Sequence, residues 1–245
     1  ASREICTVGG MAANNAGGEK TLAYGKTAKY VEELKTILSD GEEHTFRPLT
    51  SLELEEKKNT SGLEGEIYRR MHQLLELNYN LVQNARPKVS KNSAGYALWD
   101  VWDRKTFDLT KLLVGSQGTL GLITRIKFKL IKPAKFSKML VIFLKDLKPL
   151  AEVVNQVMQS RPESFESYDR HTLILALKFM PEIIRKMKGN GLILALKFLP
   201  ELGMILRGGL PKLVLLAEFT GDDEQKIYDT LKKLREEIVS KFNLK

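Results

Sequence analysis

At 245 residues and 43% hydrophobic content, the chain is long enough for one large or two modest domains with a real core, which excludes a disordered polypeptide. Its net charge of +9 invites a nucleic-acid partner, but the basic residues are spread along the whole length and mixed with acids, as in "LKKLREEIVSKF". They are not interleaved with aromatics either, so no nucleic acid is expected, and a generic positive surface, an anionic small molecule or an acidic partner is left. One cysteine, Cys6, excludes an internal disulfide framework, sets the cytoplasm as the default location and reads as a small buried apolar residue. The three histidines, His44, His72 and His171, show no metal-ligand spacing, so no metal site is expected.

The opening "ASREICTVGG" lacks the charged start and apolar block of a secretory signal, and the chain reads as though something upstream had been left out. The stretch "GGMAANNAGGEKTLAYG", residues 9 to 25, then crowds five glycines and two adjacent asparagines together with almost no hydrophobic periodicity. Glycine is favoured where φ is positive or where another group approaches the main chain closely, and Gly9-Gly10 and Gly17-Gly18 form two such pinch points. A loop wrapped on a ligand and a flexible linker are the two readings; Met11, Ala12, Ala13 and Ala16, where a linker would carry serines, favour the ligand.

Further along, Asp40-Gly41 between extended-looking segments signals a hairpin. Ile67, Met71, Leu74, Leu75 and Leu81 predict a helix within residues 64 to 82. A glycine-rich turn from Gly115 to Gly121 feeds a strand, with Leu122, Thr124, Ile126, Phe128 and Leu130 on one face and Arg125, Lys127 and Lys129 on the other. Pro133 closes that unit. "KMLVIFL" reads as a buried strand, residues 149 to 159 as a helix with Val153, Val154 and Val157, "KLVLLAEFT" as another strand, and 224 to 242 as a final helix striped by Ile227, Leu231, Leu234, Ile238 and Phe242. The alternation after Pro133 predicts a second α+β unit with its own sheet, and the boundary is placed near Lys135, giving domains 1–134 and 135–245.

Inside the second domain, "LILALKFMPE" at 173 to 182 recurs as "LILALKFLPE" at 192 to 201. Each copy is a helix-like apolar run ending at a proline, and "KGNG" between them supplies turn residues, which predicts a helical hairpin over about 171–209. The functional reading is peripheral contact with the inner face of a membrane, through Lys178, Arg185, Lys186, Lys188, Lys197 and Arg207. Two helices covering the domain's sheet are the preferred reading, and charges break the run too early for a membrane span.

"CTVGGMAANNAGG" followed by "YG", then "KNSAGY", then "LLVGSQGTLGLIT", in that order, resembles the FAD-linked oxidases of the vanillyl-alcohol oxidase superfamily, especially the glycolate oxidase and D-lactate dehydrogenase branch. The resemblance covers residues 5 to 134 well and the rest more loosely. It implies an α+β fold: the second half of a PCMH-type FAD-binding domain, mostly antiparallel sheet with flanking helices, followed by part of an α+β cap domain. It also implies FAD as cofactor and oxidation of a small 2-hydroxy acid by hydride transfer to the flavin, with an electron acceptor as second partner.

On this resemblance Gly9, Gly10, Ala13, Asn14, Asn15, Gly17, Gly18, Tyr24 and Gly25 would lie along the isoalloxazine and pyrophosphate. Gly115, Gly118, Thr119, Leu120, Gly121 and Ile123 would meet the adenine end. A dinucleotide pocket needs backbone N–H groups presented without side chains in the way, which fits the glycines, and the absence of GxGxxG disfavours a Rossmann site. Lys91, Asn92 and Tyr96 of "KNSAGY" fit a pocket-lining role, or a turn before a strand. The family's first phosphate loop and the later cap-domain histidine ligands have no counterpart here, so the chain is expected to be inactive alone. No catalytic base is assigned; His171 in "YDRHTL" is a candidate against a capping or surface histidine. The alternative is a non-catalytic basic binding module that keeps the fold.

Overall fold

The computed structural model describes residues 5–89, 91, 92, 94–186 and 209–242. Two units emerge from it: Ala1–Gly18 with Gly25–Lys132, and Glu19–Tyr24 with Pro133–Lys245.

In the first unit β1 (Val31–Ile37) lies between β2 (Glu43–Phe46) and β3 (Leu122–Phe128) and is antiparallel to both. Asp40-Gly41 makes the expected hairpin: Gly41 takes φ +80°, and its N–H donates to Leu38 O at 3.1 Å. The stripe expected on β3 is broken. Lys35 pairs with Arg125 and Thr36 with Ile123, so Thr124 is an extra, bulged residue that reverses the facing of the positions before it. Ile123 therefore joins Ile126 and Phe128 against the core, while Leu122 stands exposed, as does Leu130 beyond the strand's end.

Helices α1 (Val8–Ala13), α3 (Ser51–Lys58), α4 (Gly62–Leu77), α5 (Tyr79–Asn84) and α6 (Thr110–Leu113) complete this unit, while the short α2 (Thr21–Tyr24) belongs to the second. The helix expected over 64 to 82 ends instead at Asn78, whose side-chain Nδ2 donates to Leu74 O at 2.9 Å. Of the five apolar residues named for it, Leu75 is buried and Ile67 and Met71 pack on the core, but Leu74 and Leu81 are exposed. Tyr68 sets the true inner face, seven residues before Leu75; Leu74, six residues on, falls on the far side of a 100° wheel, and Leu81 belongs to the next helix. Tyr68 is fully buried between Phe46 and Phe107, with ring centroids 6.3 and 6.0 Å away. Cys6, expected inside, is exposed, because it sits in the turn ahead of α1 and outside either core.

The second unit is a sheet of order β4 (Phe136–Leu144), β6 (Leu213–Gly221), β5 (Ser164–Asp169), antiparallel throughout. Helices α7 (Leu150–Gln159) and α9 (Glu224–Phe242) cover one face, where Val153, Val157, Ile227, Leu234 and Ile238 meet Ile142, Leu144, Leu215, Ala217 and Phe219. The final helix buries the stripe read from its sequence. "KMLVIFL" is an edge strand rather than a buried one, since its pairing to β6 turns Met139 and Val141 to the uncovered face. Strand β5 carries no alternation that would announce it and forms by pairing with β6.

Residues 19–24 join this unit through Lys20, whose Nζ lies 2.5 Å from Glu163 Oε1 and 3.5 Å from Glu218 Oε2. Burial pushes the Glu163 carboxyl up, but donation from Lys20 and Thr220 holds it below the usual carboxylate range. After β5, helix α8 (Arg170–Lys186) takes in the first copy of the repeat and runs on past Pro181, where it was expected to stop. A proline removes one N–H donor but keeps a helical φ, so the bonds on either side carry the helix on. The second copy, and with it the expected hairpin, lies outside the described residues. Among the described residues no helix is long and apolar enough to cross a membrane.

Two substitutions test this core. A Cβ at Gly121 would sit 2.7 Å from Ile37 O and 2.6 Å from Thr36 Cγ2; Gly121→Ala is expected to destabilise the protein by about 1–3 kcal/mol, read as a lower urea midpoint at unchanged slope. Tyr68 Oη is buried without a hydrogen-bond partner among the described residues, and burial pushes its hydroxyl pKa well up. Tyr68→Phe should leave stability unchanged or raise it by about 1 kcal/mol, and a loss of that size in the same melt would mean the hydroxyl has found a partner.

Candidate functional site

The first glycine pair does not make the open loop its composition suggests. Gly9 and Gly10 lie inside α1, capped by Thr7, whose Oγ1 accepts the Gly10 N–H at 3.1 Å. Positive φ comes after the helix, at Asn15 (φ 45°), and at the end of the stretch, at Gly25 (φ 78°). Asn14 caps the helix C-terminus. The Asn15 Oδ1 accepts the Ala28 N–H at 2.9 Å, so that side-chain oxygen holds the protein's own backbone. Gly17 and Gly18 are exposed, and a Cβ at Gly18 would meet nothing within 4 Å.

The glycine turn at 115–121 is fastened to this helix by two backbone hydrogen bonds. Gly115 N–H donates to Ala12 O at 3.0 Å and Gln117 N–H to Ala13 O at 2.8 Å. Gly115 has φ 93°, and a Cβ there would lie 3.2 Å from Asn15 Cβ, so the two motifs touch through bare backbone. Gly118 has φ 80° with open space where its Cβ would be. Gly121 instead packs on β1, and Ile123 sits in the ladder opposite Thr36, with its side chain on the core. Leu120 is partly exposed.

"KNSAGY" reaches both motifs. Tyr96 Oη lies 2.6 Å from Thr119 Oγ1, which donates to Ser116 O, and Asn92 O accepts from Lys26 Nζ at 2.9 Å. The Asn92 side chain bonds Ala94 as an Asx turn, and a short 3-10 turn at Leu98–Asp100 follows where a strand was the alternative. Burial first, and the neighbouring charge of Lys91 second, push the Lys26 ammonium below its ordinary pKa. Two named residues fall elsewhere. Tyr24 belongs to the second unit and bonds the Glu163 carboxylate; His171 is exposed at the start of α8, with Nδ1 3.3 Å from Asp169 Oδ2.

Asn15 and Asn92 open on a cavity of about 420 Å³ in the first unit. Its walls also carry Lys26, Lys29, Arg86 and Lys111, with Asp100 and Trp99. Sequence reasoning missed these four cations. The available signal was adjacency: Lys26 and Lys29 follow the first glycine motif directly, and Lys111 sits four residues before Gly115. Among the described residues no group of His, Cys, Asp or Glu could hold a metal ion.

The FAD binding domain family matches residues 1–47. The D-2-hydroxyglutarate dehydrogenase of Pseudomonas putida is 30% identical over 173 residues, 70% of this chain and 17% of its own length. Glycolate oxidase subunit GlcD of Bacillus subtilis is 26% identical over 71% of this chain and 27% of its own, and the D-lactate dehydrogenase of Anaerostipes hadrus 24% identical over 96% and 36%. This chain therefore spans well under half the length of the curated relatives it matches. Among solved structures, alkyldihydroxyacetonephosphate synthase superposes with a TM-score of 0.56 at 14% identity, over 98% of this chain and 32% of that one, which is a likeness of fold. Over the length it spans, the chain is thus similar to dehydrogenases and oxidases of small 2-hydroxy acids and matches an FAD binding domain at its start, in line with the glycolate oxidase and D-lactate dehydrogenase resemblance of its three motifs.

Proposed function

We propose that the chain supplies part of the flavin-binding machinery of an enzyme that oxidises a small 2-hydroxy acid and passes the electrons to a further acceptor. The observation that carries this reading is the clearance at Gly18 and Gly118. Neither glycine is demanded by the packing around it, since a Cβ at either would meet nothing of the protein within 4 Å. Both lie in segments brought together by the Ala12–Gly115 and Ala13–Gln117 hydrogen bonds. Bare backbone beside open space suits a ligand that approaches the main chain closely.

FAD, once bound, supplies the hydride acceptor. The chain's own residues bind and orient it. Internal hydrogen bonds hold the main chain of Asn14 to Ala16 and of Gly115 to Gln117 in shape, which would leave the exposed backbone at Gly17, Gly18 and Gly118 for the cofactor to approach, and Thr119 is held in place by Tyr96 and Ser116 O. Lys91, Asn92 and Tyr96 would line the same pocket, with the Asn92 carbonyl held by Lys26 and Tyr96 held at Thr119. The family match and the dehydrogenase relatives support FAD and a hydroxy-acid substrate. On this reading turnover of D-2-hydroxyglutarate, glycolate or D-lactate by the 245 residues alone is expected to be negligible, because they cover 17% of the first relative's length. Peripheral membrane contact, the lesser reading of the repeated segment, would run through α8, where Ile174, Leu175 and Phe179 are exposed beside Lys178.

The decisive test is a substitution at Gly18. Gly18→Val adds a side chain where the protein leaves room, so the fold should keep its stability to within about 0.5 kcal/mol while flavin affinity falls by about tenfold or more. Flavin absorbance after gel filtration with excess FAD, beside a thermal melt, reads both quantities. Undiminished flavin in a folded Gly18→Val protein would remove this loop from the site.

A further inference from the structure

Residues 17–26 form a loop that is closed at its base. The Thr27 N–H and Oγ1 both donate to Ala16 O, at 3.1 and 2.9 Å, and the Ala28 N–H donates to Asn15 Oδ1. The far end of the loop is fastened separately. Lys20 Nζ lies 2.5 Å from Glu163 Oε1, and the Glu163 side chain is only 6% exposed. Tyr24, at the other end of the same short helix, bonds that carboxylate too, and its N–H donates to Lys20 O at 3.0 Å. Glu163 is itself fixed by the Thr220 hydroxyl and by its own N–H, which donates to Glu218 O at 2.7 Å. Water has little access to this carboxylate to replace a lost donor, so the pair differs from the weak ion pairs made between two exposed side chains.

Between the two fastenings the chain is bare. Gly17 and Gly18 are exposed, a Cβ at Gly18 would meet nothing within 4 Å, and Gly25 takes φ 78°. Glycine has more backbone freedom to lose than any other residue, so a limb of two glycines takes its conformation from whatever holds its ends. We propose that Lys20 is a positioning residue: through the buried Glu163 carboxylate it fixes the limb Gly17-Gly18 and so prepares that backbone for the ligand that approaches it. For the identity of that ligand the inference rests on the flavin reading given above. A loop already held in one arrangement loses less conformational entropy when a ligand docks, which raises affinity without adding a contact. The Lys20 ammonium is pushed above its ordinary pKa, chiefly by its hydrogen bond to Glu163, so the clamp stays charged at neutral pH.

The test compares Lys20→Met and Lys20→Arg with the parent chain by amide hydrogen exchange and by FAD titration. Because Lys20→Met leaves the Glu163 charge without its cation, the double variant Lys20→Met/Glu163→Gln, which removes both charges, is measured beside it. In Lys20→Met and in the double variant the Tyr24 amide is expected to exchange about tenfold faster or more, while the Thr27 amide at the base stays within about threefold of the parent. FAD affinity is expected to fall about tenfold in both, and Lys20→Arg, which keeps a cation for Glu163, should restore exchange and affinity to within about threefold. Unchanged exchange at Tyr24, unchanged FAD affinity in a loosened loop, or Lys20→Arg behaving like Lys20→Met would each overturn the proposal. So would equal acceleration of Tyr24 and Thr27, which is the mark of a general loss of stability. A parent chain that takes up no FAD would defeat the proposed function, and faster exchange confined to Tyr24 would then still uphold the clamp on the loop.

Discussion

Everything at the candidate site hangs on two main-chain hydrogen bonds, from Gly115 N–H to Ala12 O and from Gln117 N–H to Ala13 O. They tie the end of a short helix to a turn about a hundred residues later. Both donors lie on left-handed backbone, Gly115 at φ 93° and Gln117 at φ 54°, and the helix is left through Asn15 at φ 45°. The left-handed conformation is what turns both N–H groups toward the carbonyls at the end of the helix. At Gly115 the requirement is also steric, because a side chain there would press on Asn15. Each such bond contributes only about 1 kcal/mol, so their importance lies in register more than in stability.

That register is backed by a core whose members come from distant parts of the chain. Gly121 lets the turn close down on Thr36 and Ile37, the bulge at Thr124 swings Ile123 inward, and Tyr68 with Phe46 and Phe107 fills the space beneath β1. The cost is visible in two buried hydroxyls, on Thr36 and Tyr68, that find no partner among the described residues. Glycine thus does two jobs in one short motif. Gly121 is fixed by the protein's own packing, while Gly118 is free of it and faces open space.

The two units differ in how they handle charge. The second neutralises its buried acid internally: Glu163 takes Lys20, Thr220 and Tyr24, and Glu218 takes Ser137 and Ser164. The first surrounds its cavity with four cations for one lining carboxylate. A network satisfied within the protein reads as structural. Composition alone could not separate these, since lysine, arginine and glutamate occur in both halves at similar density.

Sequence by itself determined the regular elements and the glycine motifs. The stripe of Ile227, Leu234 and Ile238, the Asp40-Gly41 hairpin and the order of the three motifs are all local signals, set by helical or strand periodicity or by a turn's demand on φ. The tertiary structure alone decided whatever depends on partners distant in the chain. The bulge at Thr124 exists only against β1, β5 is a strand only because β6 offers it an edge, and Asn15 is committed to Ala28 only once the loop has folded back. The four cations are the clearest case. Lys26, Lys29, Arg86 and Lys111 are ordinary surface-type residues along a basic chain, and folding carries positions up to 85 residues apart to the wall of one cavity. Charge adds over distance in space, and periodicity along the sequence does not record that distance.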